Sequence, residues 1–139
     1  MLRLPLAFLA AVSLLVACDS STPDAEPSTS APQTAVAGLD VGDDVTEAIV
    51  QLGAGTSWDG VVVEAVMPEP GRLEIATSLV DPRGDSGSAP ALVAVEICQA
   101  GTGWLAGQGV EAPYVSVLEE DGTVFALGGH PAYPECAEV

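Results

Sequence analysis

The stretch that decides the fold is YVSVLEEDGTVFAL, residues 114–127. Two runs rich in β-branched and aromatic residues, 114–118 and 123–127, stand on either side of a turn that contains Asp121 and Gly122. An Asp-Gly pair between apolar runs is a strong hairpin signal, because both residues tolerate the backbone angles of a tight turn. The sequence therefore predicts an antiparallel hairpin here.

Three segments upstream of this hairpin also have the composition of strands. Residues 58–67 are rich in valine, residues 73–79 alternate between apolar and polar types, and residues 91–98 are almost entirely apolar. Turn residues bound them, with PEPG at 68–71 and DPRG at 81–84. We therefore predict strands at all three segments, with alternate side chains on opposite faces.

Residues 43–52 allow two interpretations. Val45, Ile49 and Leu52 fall at helical spacing, but the valine content and the nearby glycines favour an extended chain. We expect a first strand here, with a short helix as the alternative.

The N-terminus has the organisation of an export signal. Arg3 is its single charge, and residues 4–16 are apolar apart from one proline and one serine. This run is too short to span a bilayer, which needs about 20 apolar residues. It closes on the sequence Leu15-Val16-Ala17-Cys18.

These last four residues resemble the lipobox of bacterial lipoproteins, which has an aliphatic residue three positions before the cysteine and a small residue directly before it. The resemblance implies cleavage before Cys18 and attachment of acyl chains to that residue. It also implies localisation at a bacterial cell membrane, facing outside the cytoplasm. The alternative is an ordinary secreted protein whose signal ends near a cysteine.

The lipobox divides the chain into three parts: a signal peptide at 1–17, a lipidated N-terminus with a tether at 18–35, and a folded domain at 36–139. Apart from Cys18 and Gln33, the tether consists of Ser, Thr, Pro, Ala and acidic residues, without a large apolar side chain. Such a composition cannot bury enough surface to order itself, so we expect disorder. The strand order of the domain resembles small immunoglobulin-like domains of bacterial lipoproteins, which implies an all-β sandwich.

Once Cys18 is assigned to the lipid, Cys98 and Cys136 remain and can pair in only one way. An exported protein folds in an oxidising space, so we expect a disulfide between them. Metal binding by this pair is the alternative, and it is weakened by the presence of a single histidine in the chain.

The chain is strongly acidic, with 20 Asp and Glu against 3 Lys and Arg and a formal net charge of −17. After the signal peptide, the only strong cations are Arg72 and Arg83. Nucleic-acid binding requires Lys and Arg to neutralise phosphates, so a nucleic acid is excluded as a partner. The acidity favours solubility; the alternative is capture of a cationic partner or a divalent cation.

Two short motifs carry resemblances of their own. GDSG at 84–87 resembles the nucleophile motif of trypsin-type serine proteases, but the one histidine, His130, lies downstream rather than upstream of the serine. RGD at 83–85 resembles the integrin-binding tripeptide. In both cases a solvated turn is the favoured interpretation.

A glycine-rich loop is predicted at 101–109, and it carries Trp104. This indole either contacts a partner or folds back onto the domain, and the second interpretation is favoured. Arg83, Asp85 and Trp104 are the candidate residues of an interaction loop.

No catalytic set, cofactor site or metal site is predicted, and we do not expect an enzyme. The sequence predicts a membrane-anchored extracytoplasmic lipoprotein whose domain binds another envelope or extracellular protein. The alternative is a sensor or carrier lipoprotein for a small ligand or a cation.

Overall fold

A computed structural model describes residues 38–83 and 86–139 of the chain. Within these residues, one five-stranded mixed sheet is covered by two helices. The helices are α1 (Thr46–Gly53) and α2 (Ala89–Gly107); the strands are β1 (Val62–Glu69), β2 (Arg72–Thr77), β3 (Tyr114–Leu118), β4 (Val124–Gly128) and β5 (Ala137–Glu138).

Several predictions fall on parts of the chain outside the described residues. They are the signal peptide, the lipid anchor at Cys18, the tether, the domain boundary between 35 and 36, and Asp85. Among the residues that are described, no helix combines the length and the apolar character needed to cross a bilayer.

The strands lie in the order β1-β2-β3-β4-β5. Three neighbouring pairs are antiparallel, whereas β2 and β3 are parallel and are joined through α2. The predicted hairpin at 114–127 is confirmed as β3 and β4, with Gly122 at a positive φ of 84° in the turn. The predicted strands at 58–67 and 73–79 are confirmed in part as β1 and β2: residues 58–61 precede β1, which continues to Glu69, and residues 78 and 79 follow β2. Pro70 and Gly71 form the turn between the two strands.

The strand predicted at 91–98 and the glycine-rich loop predicted at 101–109 are wrong, because α2 runs through both. Ser88 caps the helix by accepting a hydrogen bond from the backbone N–H of Ala91 at 3.2 Å. Pro90 stands in the first turn, where its missing N–H costs nothing. The strong β propensity of the valines is overridden by packing over the full length of the helix.

Four of the six buried residues of α2 are small and lie at intervals of three and four: Ala91, Ala94, Cys98 and Gly101; the other two are Ile97 and Leu105. Gly101 shows why they are small. A Cβ at this position would lie only 3.1 Å from Leu73 Cδ2 and 3.2 Å from Ile75 Cδ1. The helix backbone therefore approaches the sheet too closely for a larger residue.

The expected strand at 43–52 is also corrected, since its second half is the helix α1. Ile49 is fully buried, and the helix packs against β1 and contacts α2. The residues just before it are extended: the Gly42 N–H donates to Met67 O at 2.7 Å, and the Val45 N–H donates to Ala65 O at 2.9 Å. The segment before α1 thus pairs with the outer edge of β1.

The prediction of a β-rich domain with one disulfide is confirmed, but the sandwich and its immunoglobulin-like topology are not. The described residues contain one sheet, and its core is formed against helices instead of a second sheet. The physical reason is α2, which connects β2 to β3 by a crossover. A crossover places its helix over one face of the sheet, whereas the strands of a sandwich are antiparallel.

Cys98 and Cys136 form the predicted disulfide, with 5.9 Å between their Cα atoms. Cys98 lies in α2 and is fully buried, while Cys136 lies directly before β5. The bond therefore fastens the short C-terminal strand to the middle of the long helix.

Gly129, which follows β4, is the glycine with the least room. A Cβ here would lie 2.0 Å from the carbonyl oxygen of Pro113, and φ is +77°. We expect Gly129→Ala to lower the free energy of unfolding by about 2–4 kcal/mol, through overpacking and backbone strain together.

Urea unfolding of the full chain measures this loss, and Gly109→Ala is its control. Gly109 also has a positive φ, of 87°, but nothing lies within 4 Å of its added Cβ. The free energy of unfolding of Gly109→Ala should fall only by the cost of a positive φ in a residue with a Cβ, about 1–2 kcal/mol. Equal losses in the two variants would contradict the close approach at Gly129.

Candidate functional site

The two faces of the sheet have different surroundings. Both helices pack on one face, which carries the core residues Leu73, Ile75, Val115 and Val117. The side chains of the opposite face point away from this core. We call this second surface the open face; by strand register it consists of Glu64, Val66, Glu69, Arg72, Glu74, Ala76, Tyr114, Ser116, Leu118, Leu127 and Ala137.

The central row of the open face crosses all five strands. Register pairs Val66 with Glu74, Glu74 with Ser116, Ser116 with Leu127, and Leu127 with Ala137. Four of these residues are only half-buried, and none of the four packs against the core. The row is therefore a largely apolar strip on the surface of the domain.

Ser116 stands out in this strip because it is only 2% exposed. Its hydroxyl finds no hydrogen-bond partner among the described residues. Arg72, on the neighbouring strand, has a buried Nε that is likewise unpaired within the described part of the chain. A buried polar group without a partner costs about 1–3 kcal/mol. Both of these groups lie on the open face.

An aromatic row crosses one end of the open face. The Arg72 guanidinium lies 4.9 Å from the centre of the Tyr114 ring, which in turn lies 6.2 Å from the His130 ring. The His130 and Tyr133 rings are again 6.2 Å apart. The row thus contains both tyrosines and the single histidine of the chain. Tyr and Arg are enriched among the residues that dominate protein-protein binding energy.

Charge is unevenly distributed over the open face. Its three carboxylates, Glu64, Glu69 and Glu74, all lie on β1 and β2. The residues that β3, β4 and β5 contribute carry no charge. Arg72 is the one cation, and it lies 3.8 Å from Glu69. The face therefore has an acidic half on β1 and β2 and an apolar half on β3, β4 and β5, and the boundary between them runs between β2 and β3.

Arg83, a predicted interaction residue, is held in a structural contact with the β3–β4 hairpin. Its Nη2 lies 3.2 Å from Glu119 Oε1 and 3.1 Å from Asp121 Oδ2. Glu119 is only 6% exposed, and its other oxygen accepts the Asp81 N–H at 2.9 Å. These bonds fasten the segment after β2 to the β3–β4 hairpin.

Asp121 in this contact is held in its charged form. Hydrogen bonds from the side chain and the backbone N–H of Thr123, together with the smaller effect of the Arg83 charge, keep the pKa of Asp121 below its usual value. The cluster lines an open depression of about 450 Å³. Because its cation is already paired with two carboxylates, the contact explains local structure without a ligand.

Trp104 lies in α2 rather than in a loop, and it is half-buried against the core. The favoured interpretation of this residue, that it folds back onto the domain, agrees with this position. The structure therefore brings neither Arg83 nor Trp104 to the open face. Asp85, the third candidate, is outside the described residues.

Two residues of the protease resemblance, Ser86 and His130, are among the described residues. His130 belongs to the aromatic row, where its Nδ1 accepts the Ala132 N–H at 3.1 Å, while Ser86 is exposed ahead of α2. Over residues 38–83 and 86–139, no group of three or more His, Cys, Asp or Glu side chains is placed to hold a metal ion.

No family model, curated protein or solved structure matches this chain.

The open face was not visible in the sequence, because it depends on which strands become neighbours. Arg72 and Tyr114 meet only through the parallel pairing of β2 with β3. The one available signal was polarity: Ser116 interrupts the valines of β3 at a position where a strand with two covered faces would carry an apolar residue.

Proposed function

We propose that this chain is a lipid-anchored extracytoplasmic lipoprotein whose domain binds another envelope or extracellular protein through the open face. The lipobox resemblance at residues 15–18 supports the anchor, and the surface of the sheet supports the binding role. In this proposal, the tether holds the domain away from the membrane, and the open face therefore remains accessible to a partner.

The observation that carries this proposal is the uncovered parallel pair at the centre of the sheet. Sheets whose strands are all parallel occur almost only with both faces covered, and in this mixed sheet the one parallel pair lies at the centre. Here β2 and β3 carry α2 on one face and, in the described residues, no element on the other. Ser116 lies in β3 with its hydroxyl buried and unpaired within the described part of the chain. A protein that covers this face would shield the pair and bring a polar partner to this hydroxyl.

Photo-crosslinking in intact cells tests this proposal. A photoreactive residue at Leu127, which is half-buried on the open face, is expected to give a discrete adduct with another protein. The matched control is Leu92, a leucine of α2 that is 59% exposed on the helical side of the domain. It should give little or no adduct.

Two results would count against the proposed function. The first is the absence of an adduct from Leu127 although the protein is expressed and anchored. The second is an equal adduct yield from Leu127 and Leu92, which would indicate random encounters between crowded proteins.

A further inference from the structure

The division of the open face into an acidic and an apolar half points to the chemistry of what binds there. We infer that the occupant is a basic amphipathic helix of a partner protein. Its apolar stripe would lie over the half built by β3, β4 and β5. Its Lys and Arg side chains would lie over Glu64 and Glu74. This inference rests on the proposed function and specifies its partner.

The dimensions of the face suit one helix. A helix with its side chains is about 10–12 Å across, and neighbouring strands are about 4.8 Å apart. One helix laid along the strands therefore covers two or three of them. Placed over β3 and β4, it would bury Leu118, Ser116 and Leu127 under its centre and leave Glu74 of β2 at its edge.

The charges of the face favour a basic occupant. Glu74 belongs to the central row itself, and Glu64 lies next to that row on β1, paired with Ala76. Neither carboxylate accepts a hydrogen bond or forms an ion pair with any of the residues that the structure describes. Two unpaired carboxylates next to an apolar strip match the pattern of a basic amphipathic helix, in which cations flank an apolar stripe.

Two other occupants fit this surface poorly. A second copy of the chain brings a formal charge of −17 to a face that is already acidic. The segment 18–37 of the same chain carries Asp19, Asp24 and Glu26, no Lys or Arg, and Val36 as its single large apolar side chain. Like charges placed opposite one another weaken binding. Neither occupant supplies both the cations and the apolar stripe.

The photoreactive residue at Leu127, in the full chain and in intact cells, also tests this inference. Mass spectrometry of the adduct identifies the crosslinked segment. We expect a segment with net positive charge and apolar residues at intervals of three and four. The inference is overturned by a neutral or acidic segment, a segment without this spacing, a segment of a second copy, or residues 18–37 of this chain.

Charge variants supply a second measurement of the same complex. Glu64→Gln together with Glu74→Gln is expected to lower the adduct yield from Leu127 about three- to tenfold, because two charge pairs are lost. The matched control is Glu47→Gln together with Glu96→Gln. It removes the same charge from exposed positions of α1 and α2, the helices on the opposite face of the sheet, and should leave the yield unchanged.

The outcomes separate this inference from the proposed function. An adduct whose yield is equal in both double variants, or whose partner segment is not basic, overturns the inference and leaves the proposed function standing. The absence of any adduct from Leu127 overturns both.

Discussion

Replacement of both Cys98 and Cys136 by alanine is expected to lower the free energy of unfolding by about 4 kcal/mol. The disulfide closes a loop of the chain, because it joins two cysteines that are 38 residues apart in the sequence. In the chain-entropy account, such a loop restricts the unfolded state by this amount. A single domain is stabilised by only about 5–15 kcal/mol in total, so the variant would lie close to the limit of folding.

The position of the bond adds a local effect. β5 is only two residues long, and it is held by its pairing with β4 and by the link from Cys136 to α2. Without the link, the C-terminal strand should detach before the rest of the sheet unfolds. In the alanine variant, we expect the largest increase in the rate of backbone hydrogen exchange at residues 137–139.

Urea unfolding of the full chain, with and without a reducing agent, measures the effect. The reducing agent should destabilise the original chain and leave the double alanine variant unchanged. Alanine is preferred to serine at Cys98, because a buried hydroxyl without a partner would add about 1–3 kcal/mol of its own. A loss below about 1 kcal/mol would contradict the entropic role of the disulfide.

The elements that could be predicted from the sequence were those with local signals. The β3–β4 hairpin was predicted from Asp121 and Gly122, and the end of the strand before β2 was predicted from the PEPG segment at 68–71. Turn residues act through their own backbone preferences, and so their signal survives in a single sequence. The disulfide followed from the count of cysteines alone.

The helix α2 was missed because nearly every residue from 91 to 98 is apolar. In such a run, an alternating subset can always be found, so periodicity does not separate strand from helix. The distinguishing signals were Ser88 and Pro90 at the start of the helix, and the buried positions at intervals of three and four that continue as far as Leu105. The glycines at 101, 103 and 107 are typical of a loop, and so the sequence did not predict that the helix continues through them.

The candidate site depended on this missed helix. An antiparallel arrangement of the same strands would not place Tyr114 beside Arg72, and would not leave a parallel pair uncovered. The loops were the expected location of binding residues, whereas the structure offers a sheet face. Register sets which side chains share that face, and it arises from tertiary pairing that no local pattern contains.

Replacement of Cys18 by serine is expected to move the protein from the membrane fraction to the soluble fraction almost completely. Each buried methylene contributes about 0.8 kcal/mol, and two acyl chains give stable attachment where one gives only reversible attachment. Serine has no thiol to carry the diacylglyceryl group. In intact-mass measurements, the original chain should therefore begin at residue 18 and carry acyl groups, and the variant should carry none.

The double alanine variant of the disulfide is a matched control for this experiment, because it removes two thiols and keeps Cys18. It should remain in the membrane fraction with its acyl groups, however unstable its domain has become. If Cys18→Ser leaves the protein in the membrane fraction with an unchanged mass increment, acylation at this residue is contradicted. The proposed anchoring would then be lost, whereas binding through the open face would still be testable, since that surface is built by residues 64–137 alone.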